Sequence, residues 1–188
     1  RLTDVTGVQT CALPIYGVSL GEKRRTESVN QANVWHVRHQ RGELRAVARN
    51  AGVVVAEAVL RSAGEAAGIA AEPDRDSLRA NGRDVCHLTI KLVDAEGIVT
   101  PDADREVRLD ISGSGTLLGM DNGDLRSHEP YHAASHTTRN GRCLAIIQAG
   151  KLAGTISITA SADGLPPATW TIEVADSGQD VPEYAVQG

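Results

Sequence analysis

Between residues 85 and 174 apolar and polar side chains alternate with a period of two, as strands do when one face is buried and the other wetted. Cys86, Leu88, Ile90 and Leu92 share one face of 85–93, and His87, Thr89 and Lys91 share the other. Val107, Leu109 and Ile111 alternate with Arg108 and Asp110, and Ile156, Ile158 and Ala160 alternate with Ser157 and Thr159. Trp170, Ile172 and Val174 repeat the pattern against Thr169, Thr171 and Glu173. Residues 116–120 and 142–148 form shorter segments, with Leu144 and Ile146 on one face of the latter. Ala95-Glu96-Gly97, Ser112-Gly113-Ser114-Gly115 and Asn140-Gly141 supply the turns between them.

Repeated short strands with such turns predict an all-β, immunoglobulin-like antiparallel β-sandwich over 69–175. Upstream, 43–49 and 53–61 flank Asn50-Ala51-Gly52, a connection suited to a hairpin. Leu44, Val47, Ala48 and Ala51 also fit one face of a helix, but the β-branched run Val53-Val54-Val55 favours strands. The small, glycine-bounded segment 64–68 reads as a linker, 16–32 as an irregular lead-in and 176–188 as a tail.

Composition narrows the picture. Aromatic residues make up 3% of the 188 and phenylalanine is absent, so a core must be built from Val, Ile, Leu and Ala, with Trp35 and Trp170 as the large anchors. The net charge of −5 and the scatter of basic residues give no positive field for a phosphate backbone, so no nucleic-acid partner is expected. Lys23-Arg24-Arg25 reads as a solvated run. No apolar run approaches the roughly 20 residues that a membrane helix needs. Three cysteines fit neither a disulfide framework nor a zinc knuckle. Cys86 and Cys143 lie in apolar strands, as two buried thiols or a cross-sheet pair.

Chemistry-bearing residues concentrate in 119–131, GMDNGDLRSHEPY. His128-Glu129-Pro130-Tyr131-His132 satisfies H-E-x-x-H, which on a helix presents two zinc ligands and a general base. Pro130 lies between the histidines, where it breaks the helix that the chemistry requires. His136 is a conceivable third ligand, but its surroundings read as loop. Asp121, Asn122 and Asp124 offer oxygens to a cation, yet the downstream glutamate of a calcium loop is missing from its position. Turn chemistry, with side chains capping nearby backbone N–H groups, accounts for these residues better. Neither a metal nor a cofactor is expected.

Gly119-Met120-Asp121-Asn122-Gly123-Asp124, then Ser127-His128-Glu129-Pro130, Asn140-Gly141-Arg142-Cys143-Leu144 and Gly154-Thr155-Ile156, resemble the C-terminal immunoglobulin-like domain of bacterial glycoside hydrolase family 2 enzymes of the β-galactosidase type. Asp84 and Ser112-Gly113 fit the same pattern. Gly42-Glu43-Leu44-Arg45-Ala46-Val47, Val55-Ala56 and Ala63-Gly64 resemble the end of the β-sandwich domain preceding it, making 16–63 a hairpin remnant of a second sandwich. His132 departs from the family pattern. Residues 1–15 instead resemble a translated sequencing adaptor and are set aside.

The resemblance covers accessory domains only, since the two catalytic carboxylates of this retaining family lie in an upstream barrel. It implies a fragment without catalytic residues, inactive alone, whose parent hydrolyses a β-glycosidic bond. Its partners are then the missing N-terminal catalytic and sandwich domains of the same chain and, through them, a carbohydrate. Asp121, Asn122, Asp124, Ser127, His128 and Glu129 are expected to fix a loop that docks on those domains. The rivals are a bacterial adhesion or surface module and a carbohydrate-binding module stacking sugar on Trp35, Tyr131 or Trp170. Compartment is left open.

Overall fold

The computed structural model describes residues 10–15, 18–24, 33–36, 38, 40–176 and 178. Residues 1–9 of the adaptor-like stretch and 179–188 of the expected tail lie outside them. Every regular element among the described residues is a β-strand. The chain divides into two compact units, Arg1–Ser62 and Ala63–Gly188.

In the first unit, strands β1 (Thr10–Ile15), β2 (Val18–Arg24), β3 (Glu43–Asn50) and β4 (Val53–Arg61) form one sheet in the order β2-β1-β3-β4. The expected hairpin is β3–β4, with Leu44 opposite Leu60 and Ala48 opposite Ala56. Arg45 grips Glu57 through Nε at 2.7 Å, and Arg61 reaches Glu43 at 3.1 Å. The lead-in was expected to be irregular, yet it contains β2. Residues 19–22 of that strand are exposed and it is held by backbone pairing to β1, with Ala12 opposite Glu22, so its sequence carries no buried face to read. Thr10–Ile15, set aside as adaptor-derived, pairs with both β2 and β3.

The second unit contains β5 (Gly68–Pro73), β6 (Ser77–Arg79), β7 (Val85–Val93), β8 (Glu106–Gly113), β9 (Gly115–Asp121), β10 (Ser135–Thr137), β11 (Arg142–Ala149), β12 (Gly154–Ala162) and β13 (Ala168–Ala175). They form two sheets, β5-β7-β11-β9 and β10-β8-β12-β13-β6. All ladders are antiparallel except β13–β6, which is parallel and departs from the purely antiparallel expectation. The inward side chains of both sheets make one cluster: Leu88, Ile90 and Leu92 from β7, Ile147 from β11, and Ile156 and Ile158 from β12 have no exposed surface. Full burial of such a side chain contributes about 1.5–3 kcal/mol, so this alternation is the main reason the sheets stay together.

Leu144 and Ile146 share a face of β11, as expected, and the opposite face, of Cys143, Ala145, Ile147 and Ala149, is the buried one. One expectation needs correction. Trp170 packs half-buried at the margin of the core, which is anchored instead by aliphatic residues. Cys86 and Cys143 are free buried thiols, pushed up by burial to about 11 and about 12 respectively.

The chain passes from one sheet to the other at Gly113, where φ is +90° and a Cβ would meet the Thr155 carbonyl oxygen at 2.0 Å. Only glycine fits there. Asp94, 5% exposed, anchors the end of β7 by accepting N–H bonds from Gly64 (2.7 Å), Ile98 (2.8 Å) and Glu96 (3.0 Å). These donors, Gly64 foremost, hold its carboxyl below the ordinary range.

The β3–β4 turn is made by Ala51 (φ 48°) and Gly52 (φ 82°). A left-handed alanine costs roughly 1 kcal/mol or more, whereas Asn tolerates that conformation before Gly. Ala51→Asn should therefore stabilise the first unit by about 0.5–1 kcal/mol, measured as reduced amide hydrogen exchange in β3 and β4.

Candidate functional site

β9 ends at Asp121, and the chain re-enters the opposite sheet only at Ser135, so residues 122–134 are an excursion between sheets. Its two ends close on each other: the Met120 amide donates to the Tyr131 carbonyl at 2.7 Å. Gly119 permits this approach, since a Cβ there would lie 2.7 Å from that same oxygen.

Side chains then cap the backbone in succession. The Gly123 amide donates to Asp121 Oδ1 (3.1 Å), the Asp124 amide to Asn122 Oδ1 (2.7 Å) and the Arg126 amide to Asp124 Oδ1 (3.1 Å). Asn122 Nδ2 also donates to the Thr137 carbonyl on β10 at 2.9 Å, tying the turn to the sheet. Arg126 donates from Nε and Nη2 to both oxygens of Asp124, each at 3.1 Å. Arg139 lies 3.6 Å from the same carboxylate and donates to the Gly123 carbonyl at 2.9 Å.

Glu129 makes the second tie. Its Oε1 accepts from the Thr137 amide (2.9 Å) and hydroxyl (2.8 Å), and its Oε2 from the Ser127 hydroxyl (3.1 Å). His136, fully buried on β10, brings Nδ1 to 3.3 Å from Oε2 and to 3.1 Å from the Thr137 carbonyl. Partial burial opposes ionisation of Glu129, but the Thr137, Ser127 and His136 contacts outweigh it and hold the carboxyl below its ordinary range.

The expected site residues thus divide. Asp121, Asn122, Asp124, Ser127 and Glu129 belong to one connected network, whereas His128 is exposed. Residues 128–132 are irregular chain and turn, so the helix on which the H-E-x-x-H pattern depends is not formed. His132 Nδ1 faces the Leu118 carbonyl at 2.9 Å. Thr137 and Arg139 complete the network although sequence reasoning passed over them. They lie more than a dozen positions beyond Asn122 and Gly123, and only the strand pairing reveals the contact.

Chemically, both loop carboxylates with the richest environments are committed. Asp124 is bound to arginine and Glu129 to threonine and serine, so neither is poised to transfer a proton or attack a substrate. The loop's exposed side chains are Leu125, Arg126, His128, Pro130, Tyr131, His132 and Ala134.

The strands and the connection between them define an all-β protein. Residues 69–171 match the model of glycoside hydrolase family 2 C-terminal domain 5, and the chain belongs to that family. It is 35% identical over 162 residues to beta-galactosidase BoGH2A of Bacteroides ovatus, covering 86% of this chain and 19% of that protein. It is similar to a solved glycosyl hydrolase family 2 member from Bacteroides cellulosilyticus, with a TM-score of 0.85, 34% identity and coverage of 89% of this chain and 22% of that one. A beta-glycosidase from Bacteroides vulgatus gives a TM-score of 0.81, 28% identity and coverage of 89% and 21%. The chain therefore spans roughly a fifth of the length of these relatives.

Two outcomes test the network. Glu129→Ala leaves the Thr137 amide and hydroxyl without their acceptor and should cost about 1–3 kcal/mol in chemical denaturation, whereas Glu129→Gln, which keeps an oxygen for Thr137, should recover much of it. Asp124 is drawn down to about 2 from its ordinary 3.8, first by the Arg126 side-chain bonds, then by the Arg126 amide and the charges of Arg126 and Arg139. A carboxyl lowered on folding stabilises the fold above its unfolded pKa, and that contribution disappears as pH falls from about 4 to about 2. Asp124→Asn should flatten stability across that window, and added salt should shrink the difference because Arg126 is exposed.

Proposed function

We propose that this chain is the non-catalytic C-terminal portion of a retaining family 2 glycoside hydrolase that acts on β-galactosides. In this reading 69–175 form an immunoglobulin-like β-sandwich, 64–68 a linker, and 16–63 the end of the sandwich domain before it. The family match over 69–171 carries the proposal, and the much greater length of the relatives supports a parent enzyme with further domains. The substrate class rests on the named activity of the Bacteroides ovatus relative. Two sheets closing on one aliphatic core support the sandwich assignment.

Retaining glycosidases need one carboxyl as acid/base and another as nucleophile, about 5 Å apart on either side of the scissile bond. Asp124 and Glu129, each held ionised by structural partners, fit neither role. Their role is to stiffen a loop that presents Leu125, His128 and Tyr131 to the remaining domains of the parent enzyme. Preorganisation lowers the entropy lost when such a loop docks.

The experiment is a comparison in the parent enzyme. Asp124→Ala should lower the melting temperature or loosen the C-terminal region while kcat on 4-nitrophenyl β-galactoside stays within about twofold, a change of roughly 0.4 kcal/mol in the barrier. The isolated chain should not turn over that substrate. Loss of turnover at unchanged stability, or turnover by the isolated chain, would contradict the accessory role.

A further inference from the structure

The chain contains three Asn-Gly pairs, Asn81-Gly82, Asn122-Gly123 and Asn140-Gly141. Such pairs are chemically labile, because a glycine without Cβ leaves its backbone nitrogen unhindered as it approaches the preceding side-chain amide carbon. The fold treats the three differently. Asn81 Oδ1 accepts the amides of Arg83 and Asp84, each at 2.8 Å, and the Gly82 amide donates to the Gly150 carbonyl at 3.0 Å. Asn122 is engaged through both side-chain atoms, Nδ2 to the Thr137 carbonyl and Oδ1 to the Asp124 amide, while the Gly123 amide donates to Asp121 at 3.1 Å. At both sites structural bonds must break before the carboxamide can react.

Asn140 is held in none of these ways. It is exposed, and its carboxamide has no hydrogen-bond partner among the described residues. With Gly141 it forms a two-residue left-handed turn, φ 51° and 68°, which is closed by the amide-to-carbonyl bonds between Arg139 and Arg142. The Gly141 amide makes one long contact, 3.4 Å to Asp104 Oδ1, and that carboxylate is placed to accept its proton. We infer that Asn140 is a site of spontaneous modification in the folded protein, by deamidation through a cyclic imide. The Gly141 nitrogen bonds to Asn140 Cγ, the Cγ–Nδ2 bond breaks, and the Gly141 proton departs with the amide group as ammonia. Water then opens the imide at either carbonyl, leaving aspartate or isoaspartate. Either product adds a negative charge to a turn that Asp104 already contacts, and isoaspartate also lengthens the backbone of that turn by one methylene. The neighbouring Arg139 holds the Gly123 carbonyl and lies 3.6 Å from Asp124, so the change reaches the loop. This inference concerns the chain itself and stands independently of the hydrolase reading.

Ageing the full chain at mildly alkaline pH, with digestion by a glutamate-specific protease and tandem mass spectrometry, reads the three sites separately. Conversion at Asn140 should run at least about tenfold faster than at Asn81 or Asn122. In strong denaturant the three rates should converge, because the dipeptide is the same and only the fold separates them. Asp104→Asn, which keeps an oxygen near the Gly141 amide but removes the charge, should slow conversion at Asn140 in the folded chain and leave it unchanged in denaturant. The converted chain should exchange the amides of residues 122–134 faster than the unconverted one. Conversion at Asn81 or Asn122 as fast as at Asn140 in the folded chain would overturn the inference. So would an Asn140 that stays intact over a period in which the unfolded chain reacts.

Discussion

With no phenylalanine to fill space, the second unit depends on the close fit of branched aliphatic side chains between two sheets. Leu88, Ile90 and Leu92 from one sheet and Ile156, Ile158 and Ile172 from the other are almost wholly removed from water. Side chains of this size pack densely only when strand registers are correct, because a slip of one residue turns the apolar face outward. The polar devices of the unit therefore act at points where register is set. Gly113 lets the chain change sheets against the Thr155 carbonyl, and Asp94 ties three amides at the end of β7.

The loop beyond β9 follows from the same constraint. A chain that leaves one sheet and enters the other must satisfy its backbone groups without a ladder, and here short polar side chains do so. Asp121, Asn122 and Asp124 cap successive amides, while Asn122 and Glu129 fasten the excursion to Thr137 on β10. What appears in the sequence as a concentration of catalytic residue types is a set of caps and ties. The residues left facing solvent, including the fully exposed Leu125, stand on this hydrogen-bonded frame.

Strands with one dry face were legible from sequence, since 85–93 and 154–162 print their burial directly as alternation. Elements held by backbone pairing were not. β2 is exposed along most of its length, β6 and β10 are three residues each, and none buries enough side chains to set a period. In β11 the alternation was legible, with Leu144 and Ile146 on the half-covered side and Cys143, Ala145, Ile147 and Ala149 facing inward. In the loop, Asx-type capping was legible because Asp and Asn side chains favour bonds to backbone amides two residues on. Thr137, His136 and Arg139 were not, because their contacts arise from the fold and not from neighbouring sequence. The resemblance to family 2 enzymes was carried by this loop, and the matched range encloses it.

The central claim is that this chain is an architectural part of a longer glycosidase and that its carboxylates serve structure. Reading the gene upstream of the segment that encodes these residues tests it most directly. The account predicts an upstream barrel-encoding sequence with a pair of catalytic glutamates, in frame with the family-matched residues 69–171. A continuation encoding only repeated β modules, or a surface anchor with no barrel, would contradict it and make the restrained loop a recognition surface in its own right.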